Sequence, residues 1–243
     1  MLKAMESLEN KTCLVTGSTR GIGRAIARML LQEGARVMIS GRTPESVERA
    51  LAAYAPDAGN KVIGKAADLR NYGEVEELFR HVDGSLSGLD VLVNNAGVGL
   101  FGSVAELSVD DWKKTMETNL YGSFYCSRMA LQRFETGGGG FIVNISSLAG
   151  AHAFAGGAAY NASKFGLTGF SEALMQDVRS RNVRVSYVMP GSVATEFGSG
   201  TVSGAEWKVT PEDVAEVVRM ILKMPARTLV SRVEVRPSQP KSK

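Results

Sequence analysis

The chain has 243 residues, 44% hydrophobic and 22% charged, with a formal net charge of +3. That length buries a substantial core and no linker divides it, so residues 1–243 are read as one domain. The charges are interspersed apart from a thin basic tail, no apolar run reaches the ~18 residues of a membrane span, and Met1–Asn10 lacks a signal-peptide core, so nucleic-acid and membrane partners are not expected and a cytoplasmic protein is.

The first predicted strand, Thr12–Thr16, runs directly into Gly17-Ser18-Thr19-Arg20-Gly21-Ile22-Gly23, and a helix covers Gly21–Gln32. Glycines here let the backbone turn tightly and approach a diphosphate, whose charge meets the N–H groups of the helix start. The spacing is G-x-x-x-G-x-G, without the Gly-Lys-Ser/Thr ending of an NTPase loop. A second strand, Arg36–Ser40, is followed by Gly41-Arg42-Thr43 and a helix over Pro44–Tyr54, with Thr43 as its N-cap. The third strand, Lys61–Ala66, leads to Asp68-Leu69 and a helix over Tyr72–His81. The fourth, Asp90–Val93, leads to Asn94-Asn95-Ala96-Gly97 and a long helix over Val109–Phe134.

Gly137–Gly140 reads as a flexible entry to the fifth strand, Phe141–Ser146, because no helix follows to bind a phosphate. A helix over Ala158–Arg179 carries Tyr160 and Lys164. The sixth strand, Val183–Val188, precedes Pro190-Gly191 and a Gly- and Ser-rich segment, Ser192–Val209, expected to be a mobile lid over an open pocket. The last helix, Pro211–Lys223, opens with a Thr210 cap, and a seventh strand covers Thr228–Val235. Residues 1–9 and 237–243 are expected to be flexible tails. Strict alternation of strand and helix implies right-handed crossovers and a doubly wound α/β fold: a seven-stranded parallel sheet with helices on both faces. Ligands of such folds bind beyond the carboxyl ends of the strands.

Tyr160 and Lys164 are four residues apart and share a helix face. A phenol loses its proton near pH ~10, and a positive charge beside it favours the phenolate, so this pair is a proton-transfer device in outline. The spacing alone is shared by many pairs of solvated surface neighbours. Cys13 and Cys126 have no metal or redox spacing and read as buried free thiols. His81 ends a surface-type helix and His152 stands alone in a loop, so no metal is expected.

Together Thr16–Gly23, Asn94-Asn95-Ala96-Gly97, Ser146-Ser147, Tyr160–Lys164, and Pro190-Gly191 with Thr195 resemble the single-domain short-chain dehydrogenase/reductase family, in order and spacing over nearly the whole chain. The resemblance implies a Rossmann fold and hydride transfer between a nicotinamide and a carbonyl or secondary alcohol. It implies that Tyr160 donates the proton, that Ser147 orients the substrate oxygen, and that Lys164 lowers the tyrosine pKa and holds the nicotinamide ribose. Asn119 matches the asparagine that in relatives interrupts a helix and completes a water relay. Ser147 is preferred to Ser146 because it lies thirteen positions before Tyr160, the family's separation; Ser146 is left as backbone support or a second polar contact.

By the same resemblance Gly17, Ser18, Thr19, Arg20, Gly21, Ile22 and Gly23 surround the cofactor diphosphate. Asp68 and Leu69 meet the adenine, and Asn94, Ala96 and Gly97 line the adenosine ribose and stabilise the sheet. Pro190, Gly191, Val193 and Thr195 fix the nicotinamide carboxamide. No acid follows the second strand to accept from the ribose hydroxyls, whereas Arg20 and Arg42 can hold a 2′-phosphate, with Thr43 opening a helix beside it; NADP(H) is the expected cofactor.

The resemblance implies a small-molecule carbonyl or alcohol substrate, with Phe101, Phe154, Phe197 and Trp207 available as an apolar lining. A 3-oxoacyl chain on a carrier, a steroid-like ketone and a small carbonyl all fit. The ending Val233-Glu234-Val235-Arg236-Pro237 departs from the Gly-Gly element of many 3-oxoacyl-carrier-protein reductases. The two long helices from about Val109 and Ala158 match the surfaces through which relatives dimerise, so the resemblance implies a homodimer or homotetramer. The alternative reading is a dinucleotide-binding sensor that keeps the fold without turnover; the intact set Asn119, Ser147, Tyr160 and Lys164 weighs against it.

Overall fold

The computed structural model describes residues 6–197 and 206–239. Its strands are β1 (Thr12–Val15), β2 (Arg36–Gly41), β3 (Val62–Ala66), β4 (Val91–Asn94), β5 (Gly140–Ile145), β6 (Val183–Pro190) and β7 (Arg232–Val235). All pair in parallel, in the order β3-β2-β1-β4-β5-β6-β7. The helices are α1 (Gly21–Gln32), α2 (Pro44–Ala58), α3 (Tyr72–Leu86), α4 (Val109–Met116), α5 (Gly122–Gly137), α6 (Ala158–Val178) and α7 (Pro211–Leu222).

Strand side chains alternate between the two faces, and both faces are covered, which is why the central strands are apolar throughout. Val15, Ile39, Val93 and Val143 pack under α1, α2 and α7, against Ile26, Leu30, Val47 and Val218. Their neighbours Leu14, Met38, Leu92 and Ile142 face the other way, against Phe79, Cys126, Phe134 and Leu174 of α3, α5 and α6. The chain builds outward from β1 to β3 and then returns to place β4 on the other side of β1. Connections leaving β1 and β4 therefore diverge, opening a crevice above their carboxyl ends.

Several predicted elements shift for identifiable reasons. Val82 and Leu86 continue the buried stripe of Val75, Leu78 and Phe79, so α3 runs past His81 and stops only where Ser87 turns left-handed at φ 60°. The single helix predicted over 109–134 is interrupted by a π turn at Glu117–Tyr121, which holds the fully buried Asn119. The strand predicted from Thr228 begins at Arg232, because the Thr228 N–H closes a turn on the Pro225 carbonyl at 2.7 Å. Residues 6–9, read as tail, are fastened to the body: the Glu6 N–H donates to the Lys223 carbonyl at 3.0 Å and Leu8 is buried.

The expected lid falls partly on residues 198–205, outside the described residues. Its two described ends are stitched together, Ala194 N–H to Val209 carbonyl at 2.8 Å and Val209 N–H to Ser192 carbonyl at 3.1 Å. Cys13 and Cys126 are buried, and burial pushes both thiols up. Among the described residues no helix is long and apolar enough to cross a membrane.

Candidate active site

A cleft of about 1480 Å³ lies over the carboxyl ends of the strands. At one end the loop after β1 forms its wall. Gly17 is left-handed at φ +60°, and a Cβ there would fall 2.7 Å from the Ala96 Cα, so only glycine allows the loop to lie against the end of β4. Arg20, at the N-cap of α1, makes no capping bond and no acid occupies the first turn, leaving the helix N–H groups for an anion.

Two residues assigned to this contact serve the loop's own structure. Ser18 is fully buried; its hydroxyl donates to the Val15 carbonyl at 2.6 Å and accepts from the Ser40 N–H at 3.0 Å, tying β1 to β2. Gly23 lies inside the turn, where a Cβ would stand 2.5 Å from the Gly17 carbonyl oxygen. Tyr54, named in the sequence reading only as a helix end, supports the loop from beneath by donating to the Ser18 carbonyl at 2.9 Å.

Asn94 does not line the cleft. It is buried on the α5 side, where its Nδ2 donates to Asn144 Oδ1 at 2.8 Å and Ser127 Oγ at 3.0 Å, and its Oδ1 has no partner. The cleft wall is made by Asn95, whose Nδ2 donates to the Thr16 and Gly17 carbonyls at 3.0 and 2.9 Å. Strand alternation explains the exchange: Leu92 and Asn94 share one face of β4, and that face is core.

Beyond β2, a Cβ on Gly41 would sit 2.6 Å from Thr19 Cγ2 and 2.9 Å from Ser46 Oγ, so any side chain there would have to displace both. Arg20, Arg24, Arg42 and Arg49 line this end, and Thr43 caps α2, its Oγ1 accepting from the Ser46 N–H at 3.3 Å. Asp68 and Leu69 lie on the same wall. Hydrogen bonds from Arg70 hold the Asp68 carboxyl below its ordinary range, with a further pull from the Arg42 charge. Arg20 reaches Glu196 at 3.3 Å in an exposed pair, which stabilises little.

At the other end β5 delivers Ser147 and α6 delivers Tyr160 and Lys164 to one surface. Ser147 Oγ accepts from the Ala149 N–H at 3.1 Å, fixing the loop that aims it. Ser146 is buried and its hydroxyl turns to the Lys164 carbonyl at 3.4 Å. Burial pushes the Tyr160 phenol above its ordinary value, and hydrogen bonding with the Ser147 side chain pulls it back. The depression expected from Lys164 is not seen: its ammonium lies 5.8 Å from the tyrosine ring centroid and is itself pushed down to about 8 by burial. Lys164 Nζ donates to the Ile145 carbonyl at 2.9 Å, which uses one of three N–H donors.

The Asn119 carboxamide is engaged by the protein itself. Its Oδ1 accepts from the Val98 N–H at 2.7 Å, and its Nδ2 donates to the Val98 carbonyl and Ser163 Oγ, both at 3.0 Å. It clamps the loop after β4 to α6. The π turn supplies the reach, since it widens the helix by one residue where the clamp is made.

Pro190, Gly191, Val193 and Thr195 line the wall after β6, as do Ala96, Gly97, Thr19, Gly21 and Ile22 on theirs. Phe101, Phe154 and Phe197 stand at the mouth, whereas Trp207 is off the cleft wall, with Lys208 Nζ 5.9 Å from its ring. His152, read as an isolated loop residue, is on the wall with Arg236, whose Nη2 lies 3.3 Å from its Nε2. The donor set fits a dinucleotide: a glycine loop shaped for close approach, an uncapped helix start, an arginine-lined end, and an ammonium with unspent donors.

The family model for short chain dehydrogenases matches residues 11–205. An NADP-dependent 3-hydroxy acid dehydrogenase of Salmonella typhimurium is 35% identical over 236 residues, covering 92% of this chain and 94% of its own. Among solved structures, a metagenomic short-chain oxidoreductase in complex with NADP is 35% identical with a TM-score of 0.83, covering 97% of this chain and 100% of its own. An alcohol dehydrogenase of the archaeon Thermococcus sibiricus, complexed with 5-hydroxy-NADP, is 27% identical with a TM-score of 0.87, covering 96% and 99%. Matched along most of its length in sequence and in fold, the chain belongs to the short-chain dehydrogenase/reductase family of oxidoreductases.

Proposed function

We propose that the protein transfers a hydride between NADP(H) and the carbonyl or secondary alcohol carbon of a small molecule. The observation that carries this reading is the convergence of the Ser147 hydroxyl and the Tyr160 phenol on the cleft, next to a buried Lys164 with donors to spare. The nicotinamide, when bound, supplies or accepts the hydride. Tyr160 donates the proton to the carbonyl oxygen in reduction and takes it back in oxidation. Ser147 hydrogen-bonds the same oxygen and lowers the phenol's affinity for its proton. Lys164 offers its remaining N–H groups to ribose hydroxyls, and Asn119 acts as a positioning residue by clamping Val98 to α6.

Support for the phosphorylated cofactor comes from the arginine-lined end, where Gly41 and not a carboxylate precedes Arg42, and from relatives described with NADP. A 3-oxoacyl thioester falls within the substrate class, although the ending Val233–Pro237 lacks the Gly-Gly element of many carrier-linked reductases. Exposed Tyr121, Phe124 and Phe165 on the α5 and α6 surface support self-association through these helices.

Replacing Tyr160 with Phe tests turnover against a silent sensor. NADPH affinity is expected to persist while ketone reduction, followed by NADPH absorbance, falls by about 10²-fold or more. Full activity in Tyr160→Phe refutes the mechanism, and NADH binding as tight as NADPH refutes the cofactor reading.

A further inference from the structure

The three phenylalanines at the cleft mouth are gathered around the proposed proton donor. Phe101 meets Tyr160 edge-on with ring centroids 5.5 Å apart, Phe197 lies 5.6 Å from Tyr160, and Phe154 lies 6.0 Å from Phe101. Phe101, Phe154 and Phe197 remain 49%, 48% and 40% exposed, so the rings meet one another and still present apolar surface to the cleft.

Their loops come from three parts of the chain, and backbone bonds set their spacing. Gly102 N–H donates to the Gly156 carbonyl at 2.8 Å, and Gly102 pairs with Gly157 in an isolated bridge, joining the loops of Phe101 and Phe154. Val193 pairs with Val209 and anchors the segment that carries Phe197. Glycine also makes room for the rings. A Cβ on Gly99 would stand 2.5 Å from Phe197 Cε1 and 2.8 Å from Phe101 Cζ, and one on Gly157 would stand 2.6 Å from Phe154 Cζ. Neither glycine has a left-handed backbone, so contact is what a side chain there would disturb: ring packing at Gly99, and at Gly157 both the Phe154 ring and Asn161 Oδ1, 2.5 Å away.

We propose that Phe101, Phe154 and Phe197 form a cage for an aromatic group on the substrate, so that the protein acts on aryl-bearing ketones or the corresponding secondary alcohols. This rests on Tyr160 as proton donor: an oxygen hydrogen-bonded to that phenol carries its substituent toward the rings that touch the phenol. Aromatic pairs gain from edge-to-face and offset contacts at ~4.5–7 Å, beyond what equal apolar area gives. An aliphatic chain of similar size lacks that gain.

Benzylacetone and hexyl methyl ketone carry the same methyl ketone, so their relative kcat/KM with NADPH reports the cage. The expected preference for benzylacetone is about fivefold or more. Gly99→Ala, whose methyl would meet the far ends of the Phe197 and Phe101 rings, and Phe101→Leu are each expected to shrink it at least about threefold. A smaller wild-type preference, or variants that slow both ketones alike, overturns the cage while leaving hydride transfer standing. If neither ketone consumes NADPH, the hydride-transfer reading fails on these substrates and calorimetry on Tyr160→Phe protein with NADPH decides the cage. Tighter binding of benzylacetone supports it, and equal or weaker binding overturns it.

Discussion

The Lys164 ammonium donates to the Ile145 carbonyl at 2.9 Å, fastening the first half of α6 to the end of β5 from a position only 4% exposed. Burying a charge with one hydrogen bond and no carboxylate partner is unfavourable, and it lowers the lysine pKa from 10.5 to about 8. Below about pH 8 the folded state must carry this charge, so the destabilisation is fully present there. Between about 8 and 10.5 the unfolded chain binds more protons, and stability recovers as pH rises. Lys164→Met is therefore expected to lose activity but unfold at a higher temperature at pH 7, by roughly 1–3 kcal/mol. The advantage should shrink above about pH 10, as read by thermal unfolding across pH. A variant less stable than wild type at pH 7 would contradict this.

Among the described residues, hydrogen bonding with Ser147 pulls the Tyr160 phenol down against its burial. Removing the hydroxyl in Ser147→Ala leaves burial unopposed, so the phenol holds its proton more tightly. Alcohol oxidation needs the deprotonated phenol as base, and its rising limb should move to higher pH in the variant. The rate is expected to drop by about 10²-fold or more, since the substrate oxygen also loses a donor. A pH profile of kcat/KM for oxidation checks both; an unmoved limb would separate Ser147 from the phenol's acidity.

Arg42 lines the cleft just past β2, where Gly41 leaves the strand end without a carboxylate. Losing one charge-assisted contact to a 2′-phosphate costs about 1.5–3 kcal/mol. Arg42→Ala should then weaken NADPH by roughly 10- to 100-fold and leave NADH nearly unchanged. Raising salt should close the gap between wild type and variant, because the site is exposed. Fluorescence titration with both cofactors measures this, and equal losses for NADPH and NADH would remove Arg42 from phosphate recognition.

Tyr54 reaches the glycine loop from α2, its hydroxyl donating to the Ser18 carbonyl at 2.9 Å and lying 3.3 Å from the Arg24 carbonyl. Tyr54→Phe keeps the ring and orphans a buried acceptor, a loss of about 1–2 kcal/mol in denaturant unfolding. The loop loosens while the phenol and serine stay in place. The expected kinetic signature is a severalfold higher KM for NADPH with kcat nearly unchanged; an equal fall in kcat would mean that Tyr54 acts beyond the loop.

The strands, crossovers and caps were legible because each depends on local pattern. Thr210, for example, caps the last helix as its position before Pro211 implies, its side chain accepting from the Asp213 N–H. Ser18 and Asn94 turn away from the cleft, Asn94 keeping only the sheet-stabilising half of its expected role, because a motif gives chain position, whereas burial decides which way a side chain points. For Asn94 the signal was present: alternation with Leu92 places it on the core face of β4. Other features depend on contacts between distant segments. Arg236 meets His152 across 84 positions, and the Phe101, Phe154 and Phe197 rings converge only once the loops are stitched together. The tyrosine's raised affinity for its proton was invisible for the same reason, since spacing shows the nearby lysine but not the burial of both groups.

Phe124 and Phe165 are 45% and 46% exposed, and Phe124 meets Phe170 of α6 with centroids 6.0 Å apart, so one apolar surface spans α5 and α6. Tyr121, 47% exposed, lies at the start of the same surface. Covering two half-exposed phenylalanines contributes about 1–1.5 kcal/mol each, and a twofold interface counts every residue twice. Wild-type protein is therefore expected to sediment as a dimer or tetramer. A double change, Phe124→Asp with Phe165→Asp, places four carboxylates in such an interface and should yield monomers at micromolar concentration. These side chains lie away from the cleft wall, so the monomer should still bind NADPH. Sedimentation velocity of both proteins decides it: a monomeric wild type, or a variant that associates as wild type does, would place any contact elsewhere on the surface.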